Sequence, residues 1–316
     1  MEATARWSLV TAVAPIAWGT TYFVTQRHLP AGHPLYGAVF RALPAGIVLL
    51  ALSRQRPHGS LWWKVPVLGT LNMGAFFALV YLAAQLLPTS IASTVMATAP
   101  VVMMMLAWPL LAERPHVLPA VGAGVGIAGV CVMLLTNATG IDPLGVLASV
   151  AAMAMSSIGY ILTKKWCPDV DVFALTSWQL IAGGVVLVPV AIAVEGAPPA
   201  LDGGAVLGFV YVSGVATALA FTAWFAGLRH LSAGTVGLIG LLNPVTGVLL
   251  GTLVAGDTLT ARQCAGLVLV FLGIVLGQPG VTRAVRARRA RRSAARSGVP
   301  ESRPRPHPRP DPHQQA

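Results

Sequence analysis

The sequence predicts an all-α integral membrane protein of ten transmembrane helices, built as two inverted five-helix repeats with both termini cytoplasmic. Three observations predict it. The 316-residue chain is 55% hydrophobic and only 10% charged, whereas an average soluble domain has about a quarter of its residues charged. Apolar runs of about twenty residues, the length that crosses a bilayer as a helix, recur along the chain. The second half also repeats the first at a nearly constant offset.

Cutting the chain at charged and Pro/Gly-rich breaks gives spans at 7–26, 35–53, 65–85, 90–111, 116–136, 143–163, 172–194, 204–226, 232–254 and 261–279. The first run is longer and more polar than the apolar region of a signal peptide, about 7–15 residues, and reads as a retained span. Only Leu87-Pro88-Thr89 divides the third run from the fourth, so nine spans is the rival count. With the N-terminus inside, the inner loops carry Arg54, Arg56, Lys64, Arg114, Lys164, Lys165 and Arg229, against Arg27 and Arg262 outside. The positive-inside rule therefore places both ends in the cytoplasm.

At an offset of 144 residues, Leu87 falls on Leu231, Pro100 on Pro244, Glu113 on Asp257, Gly122 on Gly266 and Gly129 on Gly273. In the earlier helices the offset is 138, and Tyr22 falls on Tyr160, Arg41 on Gln179 and Gly46 on Gly184. Five spans per half is an odd number, so the halves enter the membrane in opposite directions. Secondary transporters commonly share this arrangement, with the solute path between the halves. The domains expected are a first repeat at 1–136, a linker at 137–142, a second repeat at 143–280 and a tail at 281–316.

The formal charge of +11 suggests nucleic acid at first sight, but ten of the twenty-one basic residues lie between Arg283 and Arg309. Next to the last span, a basic cluster attracts anionic lipid at about 1 kcal/mol per residue. Beyond Pro300, proline alternates with charged residues in a segment with no means of forming a core. Membrane lipid is the simpler partner for the tail, and no nucleic-acid partner is expected. A homodimer is compatible with the sequence.

Trp18-Gly19, Phe40-Arg41, Ala99-Pro100-Val101 leading to Ala112-Glu113, and Asn243-Pro244-Val245 leading to Gly256-Asp257 together resemble the drug/metabolite transporter superfamily, in its EamA-type branch. The resemblance covers about residues 6–280. It implies a permease of the bacterial plasma membrane that exports metabolites or toxic compounds. The sequence departs from the family pattern at Asp257, where Glu is more usual, and at Gln179, which does not repeat Arg41.

Enzymatic chemistry is not expected. There is no G-x-x-x-x-G-K-[ST] loop to cradle phosphates and no H-E-x-x-H, and no Asp, Glu or His lies deep in a span. Cys131, Cys167 and Cys264 form no C-x-x-C pair, so neither a metal site nor a cofactor is predicted.

The candidate cavity starts at Arg41, the one formal charge well inside a span. Such a charge marks function by default, while snorkelling to the outer interface is the plain alternative. Trp18, Tyr22, Tyr160, Trp178 and Gln179 join it as aromatic or amide lining for a small-molecule solute. Trp224, toward the inner end of its span, suits the interfacial belt, as do Trp62, Trp63 and Trp166. Asn72 and Asn243 are amides among apolar residues, and Pro244 leaves a helix carbonyl without its donor. Glu113 and Asp257 mark helix ends at opposite faces.

Overall fold

A computed structural model of the chain describes residues 2–28, 32–87, 89–134, 142–255 and 260–285. Among these residues every regular element is helical. In hydrocarbon a helix satisfies its backbone hydrogen bonds within one segment, which is why so apolar a chain adopts it.

Helix α1 is Glu2–His28 and α2 is Pro34–Ser53. Helix α3 runs through Leu61–Gly69, a π-helical turn Thr70–Gly74, and Ala75–Leu86. Helix α4 is broken into Thr89–Met96 and Ala99–Leu111, and α5 is Val117–Leu134. Helices α6, Pro143–Trp166, and α7, Val172–Glu195, follow. Helix α8 again contains a π turn, as Gly203–Ser213, Gly214–Leu219 and Ala220–His230. Helix α9 is broken into Ala233–Gly240 and Leu242–Ala255, and α10 is Ala261–Leu276.

Side chains fix where several helices start. Asp142, Asp171 and Asp202 accept from the first backbone donors of α6, α7 and α8, and Thr260 with Gln263 closes a capping box on α10. Each such cap stabilises its helix by about 1 kcal/mol.

Among the described residues, eight helices are long and apolar enough to cross a membrane, or nine if the bent pair Ala261–Leu276 and Pro279–Val285 is one span. Helix α1 has the length, 27 residues, but its Ser, Thr, Gly and Trp content makes it more polar than the others. Leu9, Leu52, Val117, Leu207 and Leu253 are each more than two-thirds exposed, which suits a lipid-facing surface.

Several helix pairs pack through glycine. A Cβ added to Gly122 would lie 2.6 Å from Gly273 O, and one on Gly129 would lie 2.7 Å from Gly266 O. The contacts are reciprocal, since Cβ atoms on Gly266 and Gly273 would meet Gly129 O and Gly122 O at 2.7 and 2.5 Å. Helices α5 and α10 thus touch backbone to backbone, as small residues allow in membranes. Between α2 and α7, Gly46 abuts Leu180 and Ile181 while Gly184 abuts Ala42 and Leu43.

The irregularities recur as well. The π turns of α3 and α8 begin 144 residues apart, at Thr70 and Gly214. The extended residues that end α3 and α8, Leu87 and Leu231, have the same separation. The break of α4 at Ala97-Thr98 and that of α9 at Leu241 follow suit.

Candidate functional site

The site forms where α1, α2 and α3 meet α8. A π turn widens the helix and disturbs its ladder of hydrogen bonds, and Ala216, in the π turn of α8, shows the effect. Its carbonyl accepts from Trp18 Nε1 at 3.1 Å and from Arg41 Nη2 at 3.3 Å. Arg41 Nε also donates to Thr217 Oγ1 at 3.0 Å. The guanidinium carbon lies 4.6 Å from the centroid of the Phe77 ring, within the range of a cation–π contact. Arg41 is therefore fixed by three neighbours inside the helix bundle. It points at the π turn.

An aromatic cluster adjoins this node. Trp18 packs 5.0 Å from Phe221 and 5.2 Å from Trp224, and Tyr160 packs 5.4 Å from Trp224, between ring centroids. Such tilted pairs hold their geometry through ring quadrupoles as well as buried area. Trp224 is 3% exposed and its indole N–H has no hydrogen-bond partner among the described residues. A buried donor without an acceptor costs about 1–3 kcal/mol, so this N–H is available to a polar group entering the cluster. Trp224 belongs to the centre of the bundle rather than to an interfacial belt.

A second polar node lies between α3, α6 and α7. Asn72, in the π turn of α3, donates from Nδ2 to Gln179 Oε1 at 2.6 Å and to Thr163 Oγ1 at 3.1 Å. Asn72 and Gln179 have no exposed surface. Their other amide atoms, Asn72 Oδ1 and Gln179 Nε2, lack partners among the described residues. Gly159 leaves the space that Asn72 Oδ1 occupies.

The structure separates Trp178 from its neighbour Gln179. Adjacent helical residues point about 100° apart, and Trp178 packs with Leu61, Val65 and Cys167 while its Nε1 donates to Gln55 O at 3.1 Å. It supports the end of α7 and the 54–60 loop, away from Arg41. Asn243 stands beside α1, where its carbonyl comes close to Gly19. The side chain of Tyr22, and the whole of Asp257, lie outside the described residues. Phe77, Ala216, Thr217 and Phe221 are the site residues that the sequence did not single out. The signal the sequence offered for Ala216 and Phe221 is the 144-residue offset, which sets Asn72 opposite Ala216 and Phe77 opposite Phe221.

At the other end of the bundle, Glu113 follows Ala112, whose φ of 55° turns the chain back from α4. Its carboxylate accepts from Ala233 N at 2.8 Å and pairs with Lys164 Nζ at 2.6 Å. Among the described residues, no group of three or more His, Cys, Asp or Glu is placed to hold a metal ion.

Comparison with known proteins agrees with this architecture. The model of the EamA-like transporter family matches twice, over residues 5–135 and 143–277. Protein PecM of Dickeya dadantii (strain 3937) is 36% identical over 270 residues, covering 84% of this chain and 90% of the relative. The uncharacterized inner membrane transporter YedA of Escherichia coli (strain K12) is 29% identical, covering 83% and 87%. A probable amino-acid metabolite efflux pump of Salmonella typhimurium is 27% identical, covering 90% and 96%. A solved crystal structure superposes with a TM-score of 0.77 over 89% of this chain and 99% of its own, at 20% identity, a likeness of fold alone.

Proposed function

The chain belongs to the EamA-like transporter family and is a multi-pass protein of the bacterial plasma membrane; from that premise we propose that it exports a small organic solute by alternating access. The Arg41 node carries this reading. It combines a fixed cation, two indoles, further aromatic faces and a carbonyl at a disturbed helix turn. Aromatic walls bind the flat part of a solute, and the guanidinium orients an anionic or polar end. Buried polar groups that must be satisfied give such a site its selectivity.

Ten spans in two inverted halves, with both ends cytoplasmic, form the scaffold of this proposal. The reciprocal glycine contacts and the matching π turns support it, as does the double match of the family model, which divides the chain near the expected linker. The cavity is assigned to Trp18, Tyr22, Arg41, Tyr160 and Trp224, with Asn72, Gln179 and Asn243 around it. The basic tail is assigned to anionic lipid.

Efflux from vesicles tests the function. A panel led by amino-acid-sized metabolites, chosen because one relative bears that name, is compared between wild type and Arg41→Ala. Efflux of at least one solute by wild type and not by the variant, at equal insertion, is expected. No efflux of any solute by wild type would favour a scaffold or sensor instead.

A further inference from the structure

We propose that Glu113 and Lys164 form a latch that holds the cytoplasmic mouth of the transporter shut, and that its release opens the cleft beside Cys167. The proposal rests on the transport reading above and adds the residues that gate it. Glu113 ends α4, in the first half of the chain, and Lys164 lies in the last turn of α6, in the second. Their ion pair measures 2.6 Å, with side chains 26% and 18% exposed.

Each partner also grips the α8–α9 link. Lys164 Nζ donates to Leu231 O at 2.6 Å, and Glu113 accepts from Ala233 N at 2.8 Å. One carboxylate and one ammonium therefore tie α4, α6, α8 and α9 together at one end of the bundle. A helix N-terminus favours the carboxylate and a carbonyl favours the ammonium, so the arrangement is complementary at both charges.

A cleft lies next to the latch, lined by Thr163, Lys164, Cys167, Phe225, Leu228 and Arg229. Its far wall is the last turn of α8, and that turn ends at Leu231, the residue Lys164 holds. Thr163 lines the same cleft and hydrogen-bonds Asn72, which leads from the mouth to the second polar node. Freeing Leu231 and Ala233 lets the end of α8 move off α6 and widens the cleft.

Cys167 is a native reporter of that movement. It is 5% exposed, and burial pushes its thiol up to about 11 against the opposing pull of Lys64, so it reacts slowly while the cleft is shut. The test uses full-length protein in membrane vesicles with Cys131→Ser and Cys264→Ser, labelled with N-ethylmaleimide. Glu113→Gln and Lys164→Met should each label Cys167 about fivefold faster than the parent, and Lys164→Arg within about twofold of it.

Raising salt from about 0.01 M to about 1 M, which shortens the screening length from about 30 to about 3 Å, should accelerate labelling of the parent and not of Glu113→Gln. The salt arm needs no latch variant to fold. Unchanged labelling in the variants, with no salt response in the parent, overturns the latch. No solute is involved, so a latch that behaves as expected in a protein that effluxes nothing would count against the transport reading alone.

Discussion

The two polar nodes of the bundle are the same construction with different occupants. In each, a side chain from one long helix reaches a π turn in another: Arg41 of α2 reaches Ala216 and Thr217 in α8, and Gln179 of α7 meets Asn72 in α3. Arg41 and Gln179 are 138 residues apart, the offset of the expected repeat, and the two π turns begin 144 residues apart. The Arg41 node is half-buried and charged, and aromatic rings stand beside it. The Gln179 node is fully buried and neutral, closed off from the surface, with Asn72 Oδ1 and Gln179 Nε2 left without partners among the described residues. Burial explains the difference. A charge without compensation is prohibitive in the closed node, where a neutral amide pair costs far less. Under the proposed function, the node that holds the charge is the one that meets the solute.

Four substitutions and one deletion break or sharpen this contrast. Gln179→Arg puts a second guanidinium into the closed node and should cost about 3 kcal/mol or more. The measurement is folded, monodisperse protein after extraction; a normal yield would show that the node is less sealed than its burial implies. Arg41→Gln makes the open node resemble the closed one. Efflux should fall about tenfold or more, equivalent to about 1.4 kcal/mol, with insertion unchanged.

Asn72→Ala removes the donor that satisfies Gln179 Oε1 and should lower stability by about 1–3 kcal/mol, read as a drop in melting temperature. The matching change beside the open node, Trp224→Phe, removes an N–H that has no partner among the described residues together with part of a buried ring that packs on Trp18 and Tyr160. It should lower stability by about 1–2 kcal/mol through the packing lost while raising KM by roughly threefold if the solute uses that donor. Deletion of 284–316 removes no residue of either node and should leave efflux at the wild-type rate.

The all-helical, membrane-spanning class was legible in the sequence, because lipid restricts the options to helices. Trp18, Arg41 and Tyr160 were recognisable as polar or aromatic groups at depth in apolar runs, and the structure brings all three to one cluster. The π turns were not legible. Thr70–Gly74 and Gly214–Leu219 share no residue pattern that marks a widened turn, so Ala216 gave no sign that its carbonyl would accept two donors. Trp178 packs apart from Gln179 because sequence adjacency says nothing about sharing a helix face. Trp224 lies away from the interface for a different reason. Six residues from the end of α8 is more than one and a half helical turns, enough to place it among the central rings. Glu113 was expected to mark a helix end. It does so, but its partners lie 51 and 120 residues away, beyond the reach of any local pattern.

The glycine pairs of α5 and α10 limit how this sequence is able to drift. At most core contacts, a larger residue on one side is accommodated by a smaller one opposite. Gly122 faces the backbone of Gly273, and Gly129 that of Gly266, so the opposite side has no side chain left to shrink. A gain at any of the four positions has no compensating partner, and neutral exploration there is closed in both directions. The halves are thus free to diverge at Arg41 and Gln179, where their roles differ, and are held together at the seam where their backbones touch.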